Sequence, residues 1–184
     1  MRQLLKLHPD SRCIAVPYIE VGVARPRADS LVLSYIVTGK MSEVRMPPAM
    51  APARSDELWQ HTCFEAFVRA STGIEYYEFN FAPSTQWAAY RFSSYRSGMS
   101  VAAEITAPPI KVQSSLDCFI LQASLELDHL SFLPRKAFWR LGLSALIEDM
   151  SGRKAYWALA HPPGKPDFHH VDCFAYEFCP AVQT

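Results

Sequence analysis

The sequence predicts an all-β fold, a two-sheet antiparallel β-sandwich with little helix. Three observations lead there. Short runs of alternating apolar and polar residues recur along the whole chain, separated by Pro, Gly, Asp and Ser. Some runs are apolar on both faces, as a strand inside a sandwich must be: Leu31, Leu33, Tyr35 and Val37 alternate with Val32, Ser34 and Ile36. No internal repeat, heptad run or low-complexity tract competes with this reading. The 184 residues are 49% hydrophobic and 12% aromatic, enough for a large core. No composition break divides them, so one domain over 1–184 is expected.

In chain order the first strands fall at 2–7, 14–24 and 30–38, with a turn at Gly39-Lys40 and a short strand at 42–46. Three prolines in the stretch Met46-Pro47-Pro48-Ala49-Met50-Ala51-Pro52 exclude a ladder and mark a loop. Ser55-Asp56-Glu57 can cap a short helix after it. Over 59–69 two patterns compete. Trp59, Cys63 and Phe67 share a helical face, whereas Phe64, Phe67 and Val68 favour a strand from Thr62 onward, which is the preferred reading. Later strands are expected at 76–82, 87–92, 101–105, 110–113, 118–127, 138–148, 155–161 and 172–178. A helical turn at 128–133 would end at Pro134, and 148–154 reads as a hairpin connection.

Charge excludes some functions. Eighteen basic and 18 acidic residues balance, and no long basic run exists, so a nucleic-acid surface is not expected. No apolar run reaches membrane-spanning length. The first ten residues have too short an apolar stretch, broken by Lys6, for a secretory signal, so a cytoplasmic location is expected. Five cysteines, at 13, 63, 118, 173 and 179, lack paired CxxC spacing and read as free, mostly buried thiols. A pI near 7 favours association of copies, so a homo-oligomer is considered.

The most informative segment runs from Leu58 to Met99. Within it Glu65 lies among large apolar neighbours, and Glu78 and Asn80 align on the next strand. Buried polar groups need partners, and Arg91 is the evident one. The group is either a buried network that fixes strand register or the hydrogen-bonding floor of a ligand site. Trp59 and Trp87 sit beside loops and can wall such a site, whereas Trp139 and Trp157 read as core. His161, Asp167, His169 and His170 form the histidine-rich stretch. It reads either as a metal-binding loop or, preferably, as a structured loop in which one His bonds a carboxylate or a carbonyl. Met99 and His161 are the best axial pair the chain offers a haem.

Catalysis finds little support. Ser84 is not in a GxSxG elbow, and neither GxGxxG nor a P-loop occurs among only seven glycines. Two carboxylates are what glycoside hydrolysis needs, but Glu65 and Glu78 belong to strand interiors rather than loop tips.

Taken together, these residues resemble the bacterial DOMON-like proteins. The resemblance rests on Leu58-Trp59, Thr62-Cys63-Phe64-Glu65-Ala66-Phe67, Tyr77-Glu78-Phe79-Asn80, Ala82-Pro83-Ser84, Trp87, Tyr90-Arg91-Phe92, Tyr95-Arg96 and Gly98-Met99. It continues through Trp139-Arg140, Ser144-Ala145-Leu146-Ile147-Glu148, Tyr156-Trp157-Ala158-Leu159-Ala160-His161-Pro162 and Pro166-Asp167-Phe168-His169-His170. The family implies a jelly-roll or immunoglobulin-like sandwich, related in fold to family 9 carbohydrate-binding modules and to a haem-binding cytochrome domain. It implies a ligand-binding domain, not an enzyme, whose relatives hold sugars or haem. The expected ligand is a carbohydrate or sugar derivative, with no cofactor and no metal. The expected site is Trp59, Glu65, Glu78, Asn80, Trp87, Arg91, His161 and His169. The alternatives are a structural or protein-interaction domain with a sealed core, and a haem-binding domain.

Overall fold

A computed structural model describes residues 1–27, 29–128, 130–134 and 137–179. Its strands are β1 (Arg2–Leu7), β2 (Tyr18–Ala24), β3 (Ser30–Thr38), β4 (Cys63–Ala70), β5 (Tyr76–Phe81) and β6 (Trp87–Phe92). They continue as β7 (Ser100–Val101), β8 (Ile110–Ser114), β9 (Cys118–Glu126), β10 (Trp139–Glu148), β11 (Lys154–Ala158) and β12 (Tyr176–Phe178). Every ladder between them is antiparallel. Among the described residues the helical elements are 3-10 turns at Met41–Glu43, Leu58–Gln60 and Val171–Cys173.

The strands form one hydrogen-bonded path, β7-β6-β5-β4-β10-β11-β1-β2-β3-β9-β8, with β12 alongside β10. The path curls into two layers because β1 changes partner along its length. Arg2–Leu5 pair with β2, and Lys6 and Leu7 pair with β11. The result is the two-sheet sandwich that alternation predicts.

The two layers meet through inward-facing residues. Tyr35 of β3 lies 5.1 Å from Phe64 of β4, and Phe119 of β9 stacks on Phe64 at 5.8 Å. The Tyr35 hydroxyl donates to the Glu65 carbonyl at 2.6 Å, which satisfies a polar atom in the middle of the core and ties the sheets together. As the alternation requires, Leu31, Leu33, Tyr35 and Val37 point inward and are buried.

A second apolar cluster lies on the outer face of the β4-β5-β6 layer. Phe67, Tyr76, Tyr90 and Phe92 pack there against Phe168 and Phe174 from the β11–β12 connection. That cover buries both faces of β4 and β5, so their sequences read as nearly continuous apolar runs. Gly142 lets the cover sit close, because a Cβ there would fall 3.2 Å from the Cys173 carbonyl oxygen.

Several boundaries differ from expectation. The strand expected at 14–24 begins at Tyr18, since Pro17 has no N–H to give a ladder. The strand expected at 42–46 is instead the turn Met41–Glu43 followed by a single bridge from Val44 to Asp149. Pro47 and Pro48 then stop any extension. The 101–105 strand is only Ser100–Val101, because Ile105 folds back to donate to the Ala102 carbonyl. The strand expected at 155–161 ends at Ala158, and 172–178 divides into a 3-10 turn and β12. Within the turn expected at 128–133, His129 lies outside the described residues.

Gly39 has φ +152°, and an added Cβ would sit 2.0 Å from the Ala15 carbonyl oxygen. That carbonyl already accepts from Lys40 N, and Gly39 N donates to Asp117, so the backbone has no slack. Gly164 has φ +97° but nothing within 4 Å of its Cβ position. Denaturant melts are expected to show Gly39→Ala losing more than about 3 kcal/mol, against about 1 kcal/mol for Gly164→Ala, whose cost is backbone strain alone.

Candidate functional site

The site follows from strand register on the covered outer face. Glu65 stands directly opposite Asn80 of β5 and Ser144 of β10. Glu78 stands opposite Phe67 on one side and Tyr90 on the other. The two glutamates are therefore diagonal neighbours on adjacent strands, with side chains on the same face. Asn80 Nδ2 donates to Glu78 Oε1 at 2.7 Å, and Ser144 Oγ donates to Glu65 Oε2 at 3.5 Å. Both glutamates are about 5% exposed or less, yet both line an open cleft of about 560 Å³.

Glu65 and Glu78 form the floor of this cleft. Phe92, Leu146, Tyr156 and Phe168 give it apolar and aromatic walls. Trp59 and Gln60 from the 3-10 turn, Arg96 and Met99 from the β6–β7 connection, and Lys154 complete the lining. Trp59 is 36% exposed and sits edge-on to Tyr90 at 6.0 Å between ring centres.

A polar strap holds the walls. Asp167 accepts from Arg96 Nη2 at 2.7 Å and Nε at 3.2 Å, from the Tyr95 hydroxyl, and from His169 N at 3.1 Å. One carboxylate thus joins the β6–β7 connection to the β11–β12 connection. Arg96 is left-handed, at φ 51°, and its N–H donates to the Tyr76 hydroxyl at 3.2 Å. The same hydroxyl is hydrogen-bonded to His169 Nδ1, 2.8 Å away. His169 Nε2 faces Glu78 Oε2 at 3.7 Å.

Burial sets the protonation states. It holds the Glu65 carboxyl well above the usual range, and the neighbouring Glu78 charge adds to the effect. Burial raises Glu78 to about 7, although the Asn80 hydrogen bond and the Arg96 charge pull it down. Burial, and next the Arg96 charge, lower His169 to about 4, so near neutrality it is uncharged. Two acids therefore share the floor with no cation in ion-pair contact, since the Arg96 guanidinium, whose charge reaches both, is bonded to Asp167.

Of the expected site residues, Trp59, Glu65, Glu78 and His169 line the cleft, and Asn80 lies fully buried beneath it, holding Glu78. Trp87, Arg91 and His161 lie elsewhere. Trp87 points the other way on β6, into the inter-sheet core, with the Arg54 guanidinium 4.2 Å from its ring centre. Arg91 has the same parity as Trp87 and stands opposite Tyr77, not Glu78. It bonds Ser100 and approaches Glu104 at 3.9 Å, so it is not the partner of the buried glutamates. His161 Nε2 donates to the Lys6 carbonyl at 2.8 Å and its ring packs on His8. Because His161 is off the cleft, it does not face Met99 across a pocket. Among the described residues no cluster of His, Cys, Asp and Glu is arranged for a metal.

Arg96, Lys154, Tyr156 and Phe168 are among the lining residues that the expected site does not include. The available signal for Arg96 is its place in a Tyr95-Arg96-Ser97-Gly98 turn directly after an aromatic strand, where loop residues carry function.

No protein-family profile and no curated protein matches the chain. Solved structures do. A proposed carbohydrate-binding protein from Bacteroides uniformis superposes with a TM-score of 0.68 at 13% identity, over 94% of this chain and 83% of that one. A family 9 carbohydrate-binding module from Caldicellulosiruptor kristjanssonii, in complex with cellotriose, gives 0.55 at 12% identity, over 89% and 74%. The chain shares their fold. At these identities the likeness concerns the arrangement of strands and not the residues of a site.

The floor has a pH signature. Between the ordinary glutamate value and the raised values of Glu65 and Glu78, the folded state holds more protons than the unfolded state, so stability falls as pH rises through that window. His169, lowered to about 4, works the other way below about pH 6.5, so chemical denaturation from about pH 6.5 to pH 8 should show a loss on the order of 1–2 kcal/mol, and Glu65→Gln should remove a large part of that slope.

Proposed function

We propose that this chain is a non-catalytic binding domain whose ligand is a small carbohydrate or sugar derivative, held in the cleft above Glu65 and Glu78. One observation carries the reading. A concave site of about 560 Å³ joins aromatic walls to a floor of buried groups with free hydrogen-bonding capacity. A sugar ring presents apolar C–H faces and a rim of hydroxyls. Trp59, Phe92, Tyr156 and Phe168 offer flat apolar surface to the faces. Glu65 and Glu78 accept from hydroxyls when ionised and can donate when protonated.

The fold supports this reading, since the cellotriose complex uses the same strand arrangement. The DOMON-like kinship belongs to the same proposal, with a sugar in place of haem. A sealed structural domain would close the space over the glutamates, which here open into a cleft.

Titration calorimetry with neutral, amino and acidic hexoses and with cello-oligosaccharides tests the proposal, and an absence of heat from every one of them at millimolar concentration overturns it. Trp59→Ala should weaken binding about tenfold with little change in stability, since the ring is partly exposed at the mouth. Trp87→Ala should instead cost about 3–5 kcal/mol of stability, because it empties a core position.

A further inference from the structure

We infer that the cleft selects a sugar bearing a primary amine, its ammonium group paired with the Glu65 and Glu78 carboxylates and faced by the aromatic walls. The inference rests on the sugar-binding reading above and names the class of sugar.

The argument begins with what the glutamates lack. Glu65 Oε2 has a single long hydrogen bond from Ser144, and among the described residues Oε1 has no partner. Glu78 Oε1 takes the Asn80 amide, while Oε2 has no hydrogen bond and faces His169 at 3.7 Å. Neither carboxylate has a Lys or Arg within ion-pair reach among the described residues. Buried acids without a cation are costly, and such acids usually carry partners on every oxygen. Here the unused oxygens belong to side chains that line an open cleft.

The surrounding groups make no ion pair with these acids. Arg96 lines the cleft and its charge lowers both glutamates from a distance, but its guanidinium is bonded to Asp167. His169 is neutral near pH 7, being lowered to about 4. Lys154 is exposed at the rim. Tyr76 and Tyr90 are raised by burial, as is the Cys63 thiol, so they stay uncharged and add no negative charge of their own. The floor therefore offers two acids that become carboxylates when a cation binds, ringed by aromatic faces, and that combination suits an alkylammonium group.

Proton linkage gives a distinct signature. An ammonium group favours the ionised floor, so binding should drive protons off Glu65 and Glu78. Affinity should weaken as pH falls below the raised values of these acids. A neutral sugar makes no such demand.

The test is calorimetry on the full chain with D-glucosamine, D-glucose, N-acetyl-D-glucosamine and D-glucuronate near pH 7 and pH 5. The expected result is glucosamine binding about tenfold tighter than glucose or the N-acetyl sugar near pH 7, with proton release, and a smaller preference near pH 5. Glu78→Gln and Glu65→Gln should each reduce the preference to about twofold. Gln keeps the shape of a protonated Glu, so both variants should melt no lower than the parent; if one fails to fold, the other and the pH series decide. Glucose binding with no preference for glucosamine overturns the amine inference alone. So does tighter binding of glucuronate, or a preference that survives in the Gln variants. No binding by any of the sugars overturns the sugar reading itself.

Discussion

The outer face of the β4-β5-β6 layer depends on Asp167. This carboxylate is met by the Arg96 guanidinium, the Tyr95 hydroxyl and the His169 amide, and it thereby closes two long connections over a sheet that would otherwise face water. The cover buries aromatic residues on a second face and creates a low-dielectric floor. There the acidity of Glu65 and Glu78 moves far from its ordinary value. Without the cover, the same two strands would present ordinary surface glutamates.

The polar chain from Arg96 through Tyr76 to His169 extends the same logic. Arg96 N donates to the Tyr76 hydroxyl, that hydroxyl is bonded to His169 Nδ1, and Nε2 faces Glu78. Lowered to about 4, His169 is neutral near pH 7 and is no counter-charge for the carboxylates. That is why the floor keeps acceptor capacity for a ligand. The strand arrangement is shared with other solved structures, but the chemistry of this floor belongs to its own residues.

Much of the fold was legible because the layer of β2, β3 and β9 keeps period-two alternation. Ile19, Val21 and Val23, and Leu31, Leu33, Tyr35 and Val37, show the inward face directly. The elements that were misjudged are short and sit where a ladder runs out of partners. Met41–Glu43 turns before two prolines, and β7 is two residues long because the chain folds back at once. Alternation counts side chains, and it cannot count the neighbouring strands that make a run into a ladder.

The candidate site was half legible for the same reason. Local alternation placed Glu65 among apolar residues, and it put Glu78 and Asn80 on one face of one strand. It did not set the register between strands. Arg91 has the opposite parity to the face that Glu78 shares with Tyr90, so it turns away, while Arg96 arrives from a connection whose path depends on Asp167, 71 residues later. The sequence alone determined which residues alternate, hence the sandwich and the buried polar character of β4 and β5. Tertiary structure decided which charges meet, because pairing across strands and closure of a long connection depend on contacts distant in the chain, and no local pattern records them.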